Sequence, residues 1–146
     1  VTAPLPWLHD DGGRYAAGYR GETSDCACRA IAIAVPMSYA DAYSLINGSV
    51  QRLERRVPGR RPSSAREGVY TPLMRRLMGE LGWAWHPLMR IGTGCTVHLA
   101  AGELPGGRLV TALSRHYAAV IDGTVHDLYD PCRDGTRCVY GFWAPR

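Results

Sequence analysis

The segment RLVTALSRHYAAVIDGTVHDLY, residues 108–129, leaves a folding chain few choices. Its apolar residues recur with period two on both sides of Asp122-Gly123, a dipeptide suited to a two-residue hairpin turn. Such a turn needs positive φ at both central positions, which Gly adopts without steric cost and Asp tolerates. Strands are therefore predicted over 108–113, 116–121 and 124–129. With the turn as pivot, Ile121 faces Thr124, Ala118 faces Asp127 and His116 faces Tyr129. Alternate residues share a face, so His116, Ala118, Asp127 and Tyr129 lie together, and a one-residue slip would scatter them. His116 and Asp127 become diagonal neighbours within side-chain reach. His126 and Asp130 point to the other face, and Asp122 lies too far along the strand from His116.

The front half reads as helices. In CACRAIAIAV, residues 26–35, Cys26, Ala30 and Ala34 form one helical stripe, with Ala27, Ile31 and Val35 beside it. Small residues on every side predict a helix buried among close neighbours and ended by Pro36. Ser38 is placed to cap a second helix from about Tyr39 to Arg56, with Asp41 three residues on resembling a capping box. Thr71 is expected to cap a third, with Pro72 at its first position and Gly82 as its stop. Trp83 and Trp85 then alternate as in a strand. The expected fold is α+β: a single domain over 1–146, with N-terminal helices packed on a C-terminal antiparallel sheet. Residues 1–20 are expected to be irregular and 52–70 to form a basic loop.

Composition narrows the function classes. No apolar stretch approaches the ~18 residues that span a bilayer, and VTAPLPWLHDDGG lacks the basic and apolar regions of a signal peptide. No membrane association is expected, and the default location is cytoplasmic. All 17 basic residues are arginine, and the net charge of +4 comes largely from RLERRVPGRRPSSAREG, residues 52–68. Pro58, Gly59, Pro62, Ser63 and Ser64 give that run the composition of a solvated loop. No aromatic residues interleave with it to make a stacking platform, so a nucleic-acid partner is not expected. The 5 cysteines are an odd count without disulfide-framework spacing. Cys132 and Cys138 are close enough in sequence to bridge if oxidised. A zinc site drawing on Cys26, Cys28, Cys132 and Cys138 lacks knuckle spacing, so no metal and no organic cofactor is expected.

One cysteine stands apart. A thiolate is the reactive form of cysteine, and a helix N-terminus favours it. Cys26 follows Ser24-Asp25 at the predicted start of the buried helix. Cys28, two residues on, is turned about 200° away, so only one of the two can serve a site. A thiolate nucleophile needs a base and a group to orient that base. His116 with Asp127 supplies both, whereas His9 sits in the irregular N-terminal segment, His86 precedes Pro87 at a strand end, and His98 lies in an apolar stretch with no acid nearby. The Cys26 backbone N–H is a natural donor to an oxyanion.

At these residues the chain resembles the papain-like cysteine peptidase superfamily, whose order is Cys, then His, then Asp or Asn on successive strands. DCACRAIAIA followed by LSRHYAAVIDGTVHDLYDP is similar to small papain-like proteins of bacteria and their phages. It is distantly similar to peptidases that cleave double-glycine leader peptides. The resemblance covers residues ~20–36 and ~104–143. It implies Cys26 as nucleophile, His116 as base and Asp127 as orienter, in a thiol hydrolase acting on a peptide or protein substrate through an acyl-enzyme in a bacterial or phage-infected cell. Papain-like enzymes commonly carry a Gln about six residues before the cysteine as an oxyanion donor. Arg20 stands there in this chain, so the candidate donors are Arg20 or the backbone N–H groups from Thr23 to Asp25. A catalytically weak or inactive papain-like binding module is the alternative.

Overall fold

The computed structural model describes residues 3–21 and 23–146. Asp122 and Gly123 take φ of 46° and 81°, the turn the dipeptide predicts. The elements are β1 (Trp7–His9), α1 (Cys26–Ala34), α2 (Tyr39–Leu53), α3 (Thr71–Glu80), β2 (Trp83–Pro87), β3 (Arg108–Leu113), β4 (His116–Ile121), β5 (Thr124–Asp127) and β6 (Gly141–Pro145). Strands β3 and β4 match the predicted ranges. Across the hairpin, Ile121 pairs with Thr124 and Ala119 with His126.

The six strands form one sheet in the order β1-β5-β4-β3-β6-β2. It is mixed rather than antiparallel, because β1 runs parallel to β5, with Trp7 opposite Val125 and His9 opposite Asp127. Residues 1–20 are thus not wholly irregular. β1 is short and exposed along its length, so it carries no apolar alternation that would mark it in the sequence. Strand β5 stops at Asp127 instead of reaching Tyr129. The Asp127 carboxylate accepts the Leu128 N–H at 2.8 Å, and the Asp127 carbonyl is taken by Asp10 N at 3.0 Å. The chain leaves the ladder there, and Tyr129 is 81% exposed.

Alternation along the strands sends side chains to two cores. On the helical face, Val110, Ala112, Tyr117, Ala119 and Trp143 pack against α1, α2 and α3. On the other, Leu109, Leu113, Ala118, Val120 and Val125 pack with Leu5, Leu99, Cys132 and Val139 from the connecting segments. Ala27, Ala30 and Ala34 of α1 are fully buried; with no bulk beyond Cβ, they let this helix lie close on the sheet.

The helix ends differ from prediction by local chemistry. Ser38 does cap α2, accepting Asp41 N at 3.0 Å. That helix finishes at Leu53, before Arg56, because Glu54 leaves it to hold Ser63 N at 2.7 Å and the Ser63 hydroxyl. Tyr70, not Thr71, is the N-cap of α3. The Thr71 hydroxyl lies 3.4 Å from the Tyr117 hydroxyl instead of on the helix's own N–H groups. The basic segment is no free loop: Ser64 bridges Gly68, Ala65 N donates to Asn47 Oδ1 at 2.9 Å, and Ser24 N donates to Arg66 O at 2.9 Å.

Gly141 marks a close approach between β6 and β2. A Cβ there would collide with Trp85 Cη2 and meet His86 O at 2.8 Å. We expect Gly141→Ala to destabilise the fold by about 1–3 kcal/mol, read as a lower urea midpoint, and to displace the Trp85 indole, read by tryptophan fluorescence.

Candidate active site

The N-terminus of α1 abuts the end of the sheet where β4 begins and β5 finishes. Cys26 opens α1, His116 opens β4, and Asp127 closes β5. Cys26 therefore meets, at element ends, two residues that lie ninety and more positions from it in sequence. His116 Nε2 donates to Asp127 Oδ2 at 2.5 Å. The Cys26 thiol adjoins the imidazole, and the two side chains line the same two cavities. With Nε2 committed to the carboxylate, Nδ1 is the nitrogen left to exchange a proton with sulfur. The Asp127 side chain is 5% exposed and that of His116 23%, so the acid is enclosed while the imidazole still reaches solvent.

Burial by itself would lower the His116 pKa. The hydrogen bond to Asp127 and its charge, with the adjoining Cys26, outweigh it and raise the imidazole to about 9. Burial conversely acts to raise the Asp127 carboxyl, and the bond and charge of His116, the Leu128 N–H and Arg29 together hold it below the ordinary aspartate range.

Behind this pair lies a chain of buried charge. Arg29 Nη2 stands 3.3 Å from Asp127 Oδ1, and Arg29 Nη1 pairs with Asp25 Oδ1 one helical turn earlier. Asp25 is fully buried; its Oδ2 accepts the Tyr39 hydroxyl at 2.6 Å and lies 3.5 Å from Arg14 Nε. Burial first, and then the bond to Asp25, push the Tyr39 phenol up and keep it a donor. Asp25 occupies the N-cap of α1, yet its carboxylate caps none of the helix's backbone N–H groups. The carboxylate that would ordinarily close the first turn is held sideways by Arg29 and Tyr39. The first-turn N–H groups, that of Cys26 among them, are left without a side-chain cap, as an oxyanion site requires. Sequence reasoning missed Arg29 and its bonds to Asp25 and Asp127. The available signal was a lone arginine within an apolar helix, four residues after an aspartate.

Two cavities meet at the cysteine. The larger, about 750 Å³, has the basic segment on one side (Arg61, Pro62, Glu67) and Trp85, Tyr117 and Tyr140 on another. The smaller, about 460 Å³, is bounded by Thr23, Asp127, Leu128, Tyr129, Asp130 and Arg137. Ser24, Cys26, Arg115 and His116 line both. A cleft therefore passes the thiol on either side, a form suited to an extended chain. The arginine-rich segment is one of its walls, and of the aromatic residues Trp83, Trp85 and Tyr140, only Trp83 belongs to the core.

Other predicted residues lie elsewhere. The Arg20 guanidinium donates from Nη1 to Tyr15 O at 3.0 Å and Tyr19 O at 3.1 Å, stacks over the Tyr15 ring and lines neither cavity. It is not positioned as an oxyanion donor; backbone carbonyls of its own loop hold it. Cys28 is fully buried against Tyr39 O, on a different side of α1 from Cys26. Cys138 joins Cys95, not Cys132; Cys132 is buried in the second core beside Leu5 O, so no bridge between 132 and 138 forms. The four cysteines of the zinc reading do not converge, and among the described residues no cluster of metal-ligating side chains occurs. His98 does have an acid, Glu103 at 3.1 Å, and His126 pairs with Asp10 at 3.0 Å, both outside the cleft. Among the described residues no helix is long and apolar enough to cross a membrane.

No family model, no curated protein and no solved structure matches the chain.

Two outcomes follow from the electrostatics. Replacing Arg29 with Met leaves Asp25 and Asp127 buried without their shared cation, and should cost about 3–5 kcal/mol in urea unfolding. Because folding raises the His116 pKa, its contribution is full below the unfolded value of 6.5 and is lost as pH rises through about 9. Relative to a His116→Gln variant, the wild-type unfolding free energy should fall between these pH values, by up to about 1.4 kcal/mol per pH unit.

Proposed function

We propose that the protein is a papain-like thiol hydrolase, a peptidase or amidase working through an acyl-enzyme. The observation that carries this reading is the junction of Cys26, His116 and Asp127 at the midpoint of a two-sided cleft, with an uncapped helix N-terminus behind the sulfur. With its proton already taken up by His116, whose raised pKa holds it there, Cys26 Sγ attacks the carbonyl carbon of a peptide or isopeptide-type amide. The tetrahedral oxyanion accepts the Cys26 N–H. The C–N bond then breaks, and His116 returns the proton to the departing amine. Water attacks the thioester with His116 again as base, releasing the acid and restoring the thiol. Asp127 holds the imidazole by Nε2 throughout, and Arg29 holds Asp127.

A second reading, a binding module on the same scaffold without turnover, draws on one observation. Arg20 faces its own loop, which leaves the oxyanion no evident side-chain donor. Loss of one such donor typically costs ~10²–10³ in turnover, which slows an enzyme without abolishing it.

Alkylation kinetics separate the readings. Cys28 and Cys132 are inert by burial, which pushes each thiol up to about 12, so iodoacetamide at neutral pH reports on Cys26. We expect Cys26 to react at least about tenfold faster than free cysteine, and His116→Ala to remove that advantage. Labelling no faster than the free thiol, unchanged in the variant, would sink the hydrolase reading. Asp127→Asn should retain labelling but lower turnover of a casein substrate by more than about tenfold, since the imidazole loses its orienting charge.

A further inference from the structure

Arginine is distributed unevenly around the cleft. The larger cavity is lined by Arg61, Arg75 and Arg115 against one acid, Glu67. Among the described residues none of these three arginines is paired with a carboxylate. This contrasts with Arg29 and Arg52, which are held by Asp25 and Glu80. The guanidinium of Arg75 stacks 4.9 Å from the Trp85 ring centroid, so it is fixed against the aromatic wall rather than waving in solvent. Arg115 has φ of 54° in the two-residue β3–β4 turn, where a glycine or asparagine would sit without strain. A bulky arginine held there, beside both His116 and the mouth of both cavities, suits a functional role better than a turn-forming one. The smaller cavity carries acids in Asp25, Asp127 and Asp130 beside its arginines.

From this arrangement, and resting on the thiol-hydrolase reading, we propose that the larger cavity selects an acidic peptide segment. An Asp or Glu side chain within a residue or two of the scissile amide is bound by Arg75 and Arg115, with Arg61 at the outer rim and the peptide's apolar surface on Trp85 and Tyr140. Guanidinium groups match a carboxylate in charge and in their forked geometry. A cavity of about 750 Å³ is large enough for a short stretch of chain.

The test compares iodoacetate with iodoacetamide at Cys26, two reagents that differ by one carboxylate. At low ionic strength the iodoacetate-to-iodoacetamide rate ratio should exceed that of N-acetylcysteine by about threefold or more and shrink as salt is added. It should fall toward the free-thiol ratio in Arg115→Gln and in the Arg61→Gln/Arg75→Gln double variant. Gln carries the same left-handed strain as Arg at 115, and Arg61 and Arg75 are exposed, so all are expected to fold. In parallel, a peptide mixture with Asp, Glu, Leu or Lys fixed at each position around the cut is digested and read by mass spectrometry. Preferred cleavage beside Asp or Glu, lost in the double variant, supports the proposal. A free-thiol ratio despite fast iodoacetamide labelling overturns it and leaves the hydrolase reading standing, as does preferred cleavage beside Leu or Lys. Iodoacetamide labelling at the free-thiol rate removes the hydrolase reading and the proposal with it.

Discussion

Arg29 is the charge on which the rest of this site is built. It lies 7% exposed between two buried carboxylates, Asp25 on its own helix and Asp127 on the hairpin. Without that cation Asp127 would lose one of the charges that hold its carboxyl low, and Asp25 would be buried without its closest ion-pair partner. Asp127 would then lose part of its hold on His116, and Asp25 would keep only Tyr39 and Arg14 to hold it off the α1 N-terminus. One guanidinium thus does two things at once. It keeps the carboxylate behind the imidazole ionised, and it keeps the helix N-terminus open beside the cysteine. Because one end of the link is on α1 and the other on β5, it also fixes the helix to the sheet at the place where sulfur and imidazole must meet.

Packing sets the distances that this charge network uses. The alanines of α1 allow the helix to settle close on β3 and β4, which brings Cys26 to the first residue of β4. Tyr117 ties that strand to the opposite wall, donating from its hydroxyl to Val69 O at 3.1 Å. The basic segment returns to the start of α1 through Ser24 N and Arg66 O. The cleft walls are consequently anchored to the elements that carry the proposed nucleophile and base.

Much of the reactive arrangement is legible in the chain. The Asp122-Gly123 turn has a local backbone requirement, and once it forms, period-two geometry makes the His116–Asp127 adjacency unavoidable. The separation of Cys26 from Cys28 follows from the angular step of a helix. Both are short-range consequences of covalent geometry, which is why counting residues suffices. Partners from distant segments were not legible. β1 joins the sheet as a parallel edge, and β6 inserts between β3 and β2, from segments with little alternation of their own. Cys138 finds Cys95 rather than the nearer Cys132, because Cys132 is packed into the second core. Arg20 occupies the sequence position of an expected donor, but two carbonyls of its own loop hold it.

The sequence by itself determined a hairpin with an imidazole and a carboxylate on one face, and a buried helix beginning at a cysteine. Those features depend on φ/ψ preference and side-chain period, which act over a few residues. Only the tertiary structure decided that the helix start meets the hairpin end, that Arg29 spans the two, and that an arginine-rich segment walls the cleft beside them. These depend on long-range packing and on where buried charge can be neutralised, and neither is encoded in any single stretch of the chain.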